Sequence, residues 1–121
     1  MIAALIIAIF LFLLWSSKQP AVSVGYFNEV ITDVPCELKY ARMGIYEVSA
    51  LEQASDNKKV SRFRAWYPAE LKTSGKKYTL VAMVNGLGTP AFKYEAVFEH
   101  LASWGFIVDG KGDGSFGTGI R

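Results

Sequence analysis

One cysteine and one histidine are all that the 121 residues hold of the side chains most used in metal centres. Cys36 alone excludes an internal disulfide and every multi-cysteine metal site, and it reads as a bystander thiol. His100 alone excludes a histidine-rich centre and gives a Ser-His-Asp triad a single base to draw on. Neither a metal nor a cofactor is expected. An excess of one charge is also missing: 13 Lys+Arg stand against 11 Asp+Glu, for a net charge of +2. There is no basic footprint, and nucleic acid is not an expected partner.

The charges that do occur begin only at Lys18, leaving residues 1–17 uncharged at every side chain. Residues 1–15, MIAALIIAIFLFLLW, are all apolar. With Ser16 and Ser17 they reach about 25 Å as a helix, just short of the roughly 30 Å hydrocarbon core of a bilayer. A signal peptide carries a basic leading region and a small-x-small cleavage site. Here the α-amine is the only positive group ahead of Leu5, and Trp15-Ser16-Ser17 makes a poor site. Residues 1–17 therefore read as a signal-anchor, or as a signal peptide if they are cleaved. Trp15 suits an interfacial belt and Lys18 a snorkelling flank. A buried core helix keeps a polar face, and this segment has none. The membrane is the expected partner of residues 1–17, with the body anchored and exported, or secreted if the head is removed.

Residues 18–25 form a turn-rich linker with Pro20 and Gly25, and the domain runs over residues 26–121. A strand-like run at residues 44–48 is followed by a polar stretch at residues 53–59. From Ser61 to Tyr67, Phe63, Ala65 and Tyr67 alternate with Arg62, Arg64 and Trp66, predicting a hairpin whose second strand is half-solvated and closed by Pro68. A polar turn at residues 72–77 leads into residues 78–84, whose unbroken apolar character predicts a central strand buried on both faces of a parallel sheet. Thr89 as N-cap, Pro90 at the first position, Tyr94, Val97, Phe98 and Leu101 at helical spacing and Gly105 past the end predict a helix over residues 90–103. Phe106, Ile107 and Val108 predict a further buried strand, and strand-helix-strand with short loops implies a right-handed parallel crossover. The fold class is α/β, with antiparallel strands first and a βαβ unit after. No internal repeat is visible, and residues 109–121 are glycine-rich.

Between strand and helix lies Asn85-Gly86-Leu87-Gly88. A strand-to-helix loop of this kind points backbone N–H groups into the crevice at the strand's carboxyl end, where they can bind a developing oxyanion. The same glycines also suit a tight loop that merely needs positive φ. Ala65-Trp66-Tyr67-Pro68, the apolar strand running into Val84 and this loop, and Tyr94 with His100-Leu101-Ala102-Ser103-Trp104-Gly105-Phe106-Ile107-Val108 together resemble the N-terminal part of α/β-hydrolases. The likeness is closest to the dienelactone-hydrolase-like and chlorophyllase-like branch, with cutinase-like and platelet-activating-factor-acetylhydrolase-like esterases nearby. It covers residues 44–119.

The resemblance implies the N-terminal portion of an α/β-hydrolase sheet, with Leu87 supplying one oxyanion-hole N–H and Gly86 and Gly88 shaping the loop. It implies a serine ester hydrolase acting on an ester substrate in the complete family domain, of which this chain is the membrane-anchored or exported N-terminal fragment. The family places its nucleophile, acid and histidine downstream in that order, so the chain is expected to carry the oxyanion loop without the triad. Lys111-Gly112-Asp113-Gly114 departs from the family's usual wording. The alternative is a non-catalytic, membrane-tethered α/β domain.

Three further motifs fail on context. Asp113-Gly114-Ser115-Phe116-Gly117 imitates G-x-S-x-G, but Asp stands first and no helix follows, so Ser115 is not expected to be a nucleophile. Residues 112–117 spell G-x-G-x-x-G without opening a helix, which argues against a nucleotide-binding module. Asp109, Asp113 and Gly114 fit positions 1, 5 and 6 of a calcium loop, but Lys111 and Ile120 occupy ligand positions. His100 sits at the edge of the predicted helix's apolar stripe and reads as a packing residue.

Overall fold

The computed structural model describes residues 2–22, 26–29, 31–56, 62–84 and 89–111. Helix α1 spans Ile2–Ser17, helix α2 Pro35–Ala41 and helix α3 Glu95–Ser103. Strands β1 (Val48–Ala54), β2 (Arg62–Pro68), β3 (Thr79–Met83) and β4 (Phe106–Lys111) form one mixed sheet in the order β1-β2-β4-β3. β1 pairs antiparallel with β2, β2 antiparallel with β4, and β3 parallel with β4. The fold is thus mixed α/β, a hairpin followed by a β3–α3–β4 unit.

α1 carries Ala and Leu through its length with no Gly or Pro to interrupt it, and its exit is tied by Ser17 Oγ to the Leu14 carbonyl at 2.8 Å and by the Lys18 N–H to the Trp15 carbonyl at 3.1 Å. It contains no buried residue. Its 16 residues rise about 24 Å. No described helix is long and apolar enough to cross a membrane.

The hairpin's first strand lies later than the strand-like run at residues 44–48. Only Val48 of that run belongs to β1, which continues through Gln53 and Ala54, residues the composition assigns to a turn. Two contacts decide this. Residues 44–46 are committed to the end of α3, where the Gly44 N–H donates to Ser103 Oγ at 2.8 Å and the Tyr46 N–H to the Ser103 carbonyl at 3.0 Å. Meanwhile the polar half of β1 is held by ladder pairing down to Ala54↔Arg62 and by an Arg62–Glu52 ion pair at 3.1 Å. Cross-strand pairing outweighs the weak strand preference of Glu and Gln.

The core lies between α3 and one face of the sheet. Trp66, Val108, Phe98, Ala102 and Ala91 are fully buried, with Val48, Val81, Met83, Val97 and Leu101 packed around them. Trp66 meets Phe98 edge-on, with ring centroids 4.8 Å apart. Gly110 lets Phe98 settle on β4, since a Cβ there would lie 2.8 Å from the Phe98 ring. Arg64 of β2 pairs with Glu95 in the first turn of α3 at 3.0 Å and stacks its guanidinium 4.9 Å from the Trp66 ring, which pins the helix start to the sheet.

Two further expectations need correction. The helix over residues 90–103 is divided: Pro90 is extended at ψ 157°, Ala91–Tyr94 is a 3₁₀ turn, and the α-helix begins at Glu95. Thr89 is not a side-chain cap. The Lys93 N–H reaches back three residues to the Pro90 carbonyl at 3.1 Å, closing the tighter turn before the α-helix starts. Gly105 does terminate the helix at φ +93°.

The second correction concerns β3, which stands at the edge of the described sheet and not at its centre. The run is apolar on both faces, but α3 covers only one: Val81 and Met83 reach the core, while Leu80 on the other face is 63% exposed. Its partner in register on β4 is Ile107, Asp109 follows two positions on, and Phe63 and Leu51 stand further along the same face, both exposed.

Candidate functional site

In a parallel strand pair flanked by a crossover helix, ligands collect at the carboxyl ends of the strands. Here Met83 is in register with Gly110 and Ala82 with Asp109, so the ends of β3 and β4 lie side by side. The chain leaves β3 into residues 85–88 and returns at Thr89, directly before the 3₁₀ turn. The expected oxyanion donor Leu87, with Gly86 and Gly88, lies outside the described residues, as does Ser115.

Asp109 is the titratable group at this end. Val108 points into the core, so strand alternation turns Asp109 to the opposite face, between the small side chains of Ala65 and Ala82 in register. Partial burial pushes its carboxyl above the usual aspartate range, and a hydrogen bond from the Gly110 backbone opposes that. In the sequence, Asp109 stands out only as the start of a glycine-rich tail and as the first position of a calcium loop that fails at Lys111 and Ile120. The signal for more was its place at the end of a Phe-Ile-Val run, where a carboxylate is costly to bury.

His100 lies on α3, as expected, and is used in packing. Its ring stacks on Phe27 with centroids 4.2 Å apart, and Nδ1 is buried with no hydrogen-bond partner among the described residues. Desolvation lowers its pKa, opposed by a hydrogen bond with the Tyr40 backbone. Ser103 is equally committed: fully buried, its hydroxyl donates to the His100 carbonyl at 2.6 Å while accepting from Gly44. Cys36 is exposed on α2. Among the described residues no group of three or more His, Cys, Asp or Glu side chains could hold a metal ion.

A second cluster occupies the other end of β3. Tyr78 Oη donates to Glu70 Oε1 at 2.6 Å, and Lys76 Nζ reaches the same oxygen at 2.8 Å. The Lys76 hydrogen bond first, then that of Tyr78, holds the Glu70 carboxyl below its ordinary range. Since Tyr78 precedes β3, this exposed network lies at the amino end, away from the loop at residues 85–88.

Lys93 is the residue no sequence signal marked. Its ammonium donates to the carbonyls of Ser16, at 3.5 Å, and Gln19, and its own carbonyl accepts the Ala21 N–H at 2.9 Å. The end of α1 is thereby fastened beside the turn that follows residues 85–88. A cleft of about 320 Å³ opens along this seam, lined by Ser17, Ala21, Thr89, Pro90, Lys93 and Tyr94.

Compared with protein-family models and with curated protein sequences, the chain finds no match.

Proposed function

We propose that the body of this chain forms the opening part of an α/β-hydrolase-type ester hydrolase domain, tethered to a membrane through residues 1–17. The observation that carries this reading is the strand arrangement: an antiparallel hairpin, then a parallel β3–α3–β4 unit, with residues 85–88 leaving the carboxyl end of β3. That is where the resemblance locates one oxyanion-hole donor, in the loop between β3 and the helix that follows it, here α3.

In the reaction so implied, a serine oxygen attacks the acyl carbonyl while a histidine takes the serine proton, and the carbonyl oxygen becomes an oxyanion. The serine, acid and histidine belong to elements the resemblance places beyond this region. The contribution of this chain is the Leu87 N–H, which donates to the oxyanion; Gly86 and Gly88 leave the backbone free to approach it. Losing one such donor costs roughly 10²–10³ in kcat.

The test is direct. The full chain alone should hydrolyse p-nitrophenyl acetate no faster than background, and activity should appear when the C-terminal half of an α/β-hydrolase is supplied in trans. Leu87→Pro, which removes the N–H, should then abolish turnover, while Leu87→Ala should retain it. Robust hydrolysis by the chain alone that disappears in Ser115→Ala would overturn the reading. The second reading is a non-catalytic tethered domain, and failure of every complementing half would select it.

A further inference from the structure

α1 exposes its apolar side chains all round, yet its carboxyl end is fixed to the body. The last carbonyls of a helix lack intrahelical donors and carry the negative end of its dipole. α1 has no basic residue in its own last turn, and Lys93 supplies that charge from the body. Wherever α1 sits, the clamp carries the turn at Ala91–Tyr94 with it. The cleft beside the clamp is mostly apolar, lined by Ala21, Pro90 and Tyr94, with Ser17, Thr89 and Lys93 completing it. Leu13, Leu14 and Trp15, 60%, 45% and 60% exposed, extend the apolar surface away from Ser17 on its rim.

We infer that this cleft takes one acyl chain of a bilayer phospholipid, so that the ester reaches the β3–β4 end laterally from the membrane. The inference rests on the tethered ester hydrolase proposed above and names its substrate class as long-chain acyl esters. Lys18 directly follows α1 and Lys93 lines the cleft beside it, and cations at the end of an inserted helix lie at phosphate level, with the apolar side chains of α1 on the hydrocarbon side. At about 320 Å³ the cleft is at the small end of ligand sites, which run roughly from 300 to 1,000 Å³, a size suited to one chain. Thr89 on its wall is the residue after Gly88, where the proposed oxyanion loop ends.

The experiment uses the full chain in phosphatidylcholine vesicles doped with a phosphatidylcholine that carries a diazirine in its acyl chain. After irradiation, adducts are mapped by mass spectrometry. Adducts are expected on α1 and also on Pro90 or Tyr94. Ala21→Trp, which fills the cleft, should remove the second set and leave the first. Lys93→Met should reduce the second set several-fold, and Lys93→Arg should preserve it. Adducts confined to α1 would overturn the cleft assignment and leave the tether standing; no adducts at all would overturn both. A cleft that labels as expected in a chain that no complementing half makes active would overturn the hydrolase reading, and with it the assignment of the bound chain as substrate.

Discussion

Gly44 and Ser103 show how a few atoms set the position of a whole strand. A Cβ on Gly44 would lie 2.1 Å from the Ser103 carbonyl oxygen, and the neighbour is backbone, which cannot rotate aside. Gly44→Ala should therefore cost about 2–3 kcal/mol, read as a fall in the urea midpoint. Ser103→Ala leaves the Gly44 N–H without its acceptor and should cost roughly 1–3 kcal/mol. Equal stability of Gly44→Ala and the parent would show that residues 44–46 do not dock on α3.

At the same scale, His100 carries a pH dependence. Burial lowers its pKa in the folded state below the ordinary 6.5, so the unfolded chain binds more protons between the two values. The stability tied to neutral His100 is therefore fully present above pH 6.5 and is lost as pH falls through the folded value. Asp109 and Glu99 run the other way: desolvation raises both carboxyls, and their contribution is lost as pH rises from the ordinary carboxylate range through the raised values. The His100 part is isolated by subtraction. The melting temperature of His100→Gln should lose the rise with pH that the parent shows just below 6.5, and an unchanged pH profile would count against a desolvated imidazole.

At the scale of elements, the structure separates what local sequence encodes from what pairing decides. Helix α3 was legible because Val97, Phe98 and Leu101 repeat at helical spacing and Gly105 can adopt positive φ. Its division at Tyr94 was not, because the 3₁₀ turn depends on Pro90 and on the distant partners of Lys93. The hairpin was legible from the alternation ending at Pro68, but the start of β1 was not, since Gly44 is held by a residue 59 positions away. For β3, composition reported a strand fit for burial on both faces without saying which neighbours cover it. Of the candidate site, the strand and the helix on either side of residues 85–88 were legible, whereas Asp109 and Lys93 gain their meaning only from register and tertiary contact.

That distinction in β3 is testable. Val81→Lys forces an ammonium into the core against Val108 and Phe98 and should cost several kcal/mol. Leu80→Lys, one residue away on the uncovered face, should change stability by about 0.5 kcal/mol or less. Thermal melts of the two variants decide it, and comparable losses would mean that Leu80 is covered.

For the whole molecule, the uncovered face and the free edge of β3 act together. Leu51, Phe63 and Leu80 are 50%, 40% and 63% exposed on one side of the sheet, where α3 makes no cover, and β3 has β4 as its only ladder partner among the described residues. An edge strand offers unpaired N–H and C=O groups as a template, and an apolar face beside it rewards whatever docks. On the tethered reading, phosphatidylcholine vesicles should retain the full chain through carbonate extraction and should not retain a chain starting at Tyr26, which lacks the uncharged head. That shorter chain should still associate with itself, because the apolar surface driving association belongs to the sheet and not to α1. Sedimentation should show self-association that Leu80→Lys reduces, since one charge on the edge strand penalises both stacking and strand addition. Dye binding and a broad thermal transition should accompany it. A monomer with a sharp cooperative melt and dispersed amide signals would instead show that residues 26–121 cover this face themselves, and the sheet would then be closed to the further strands that the hydrolase reading requires.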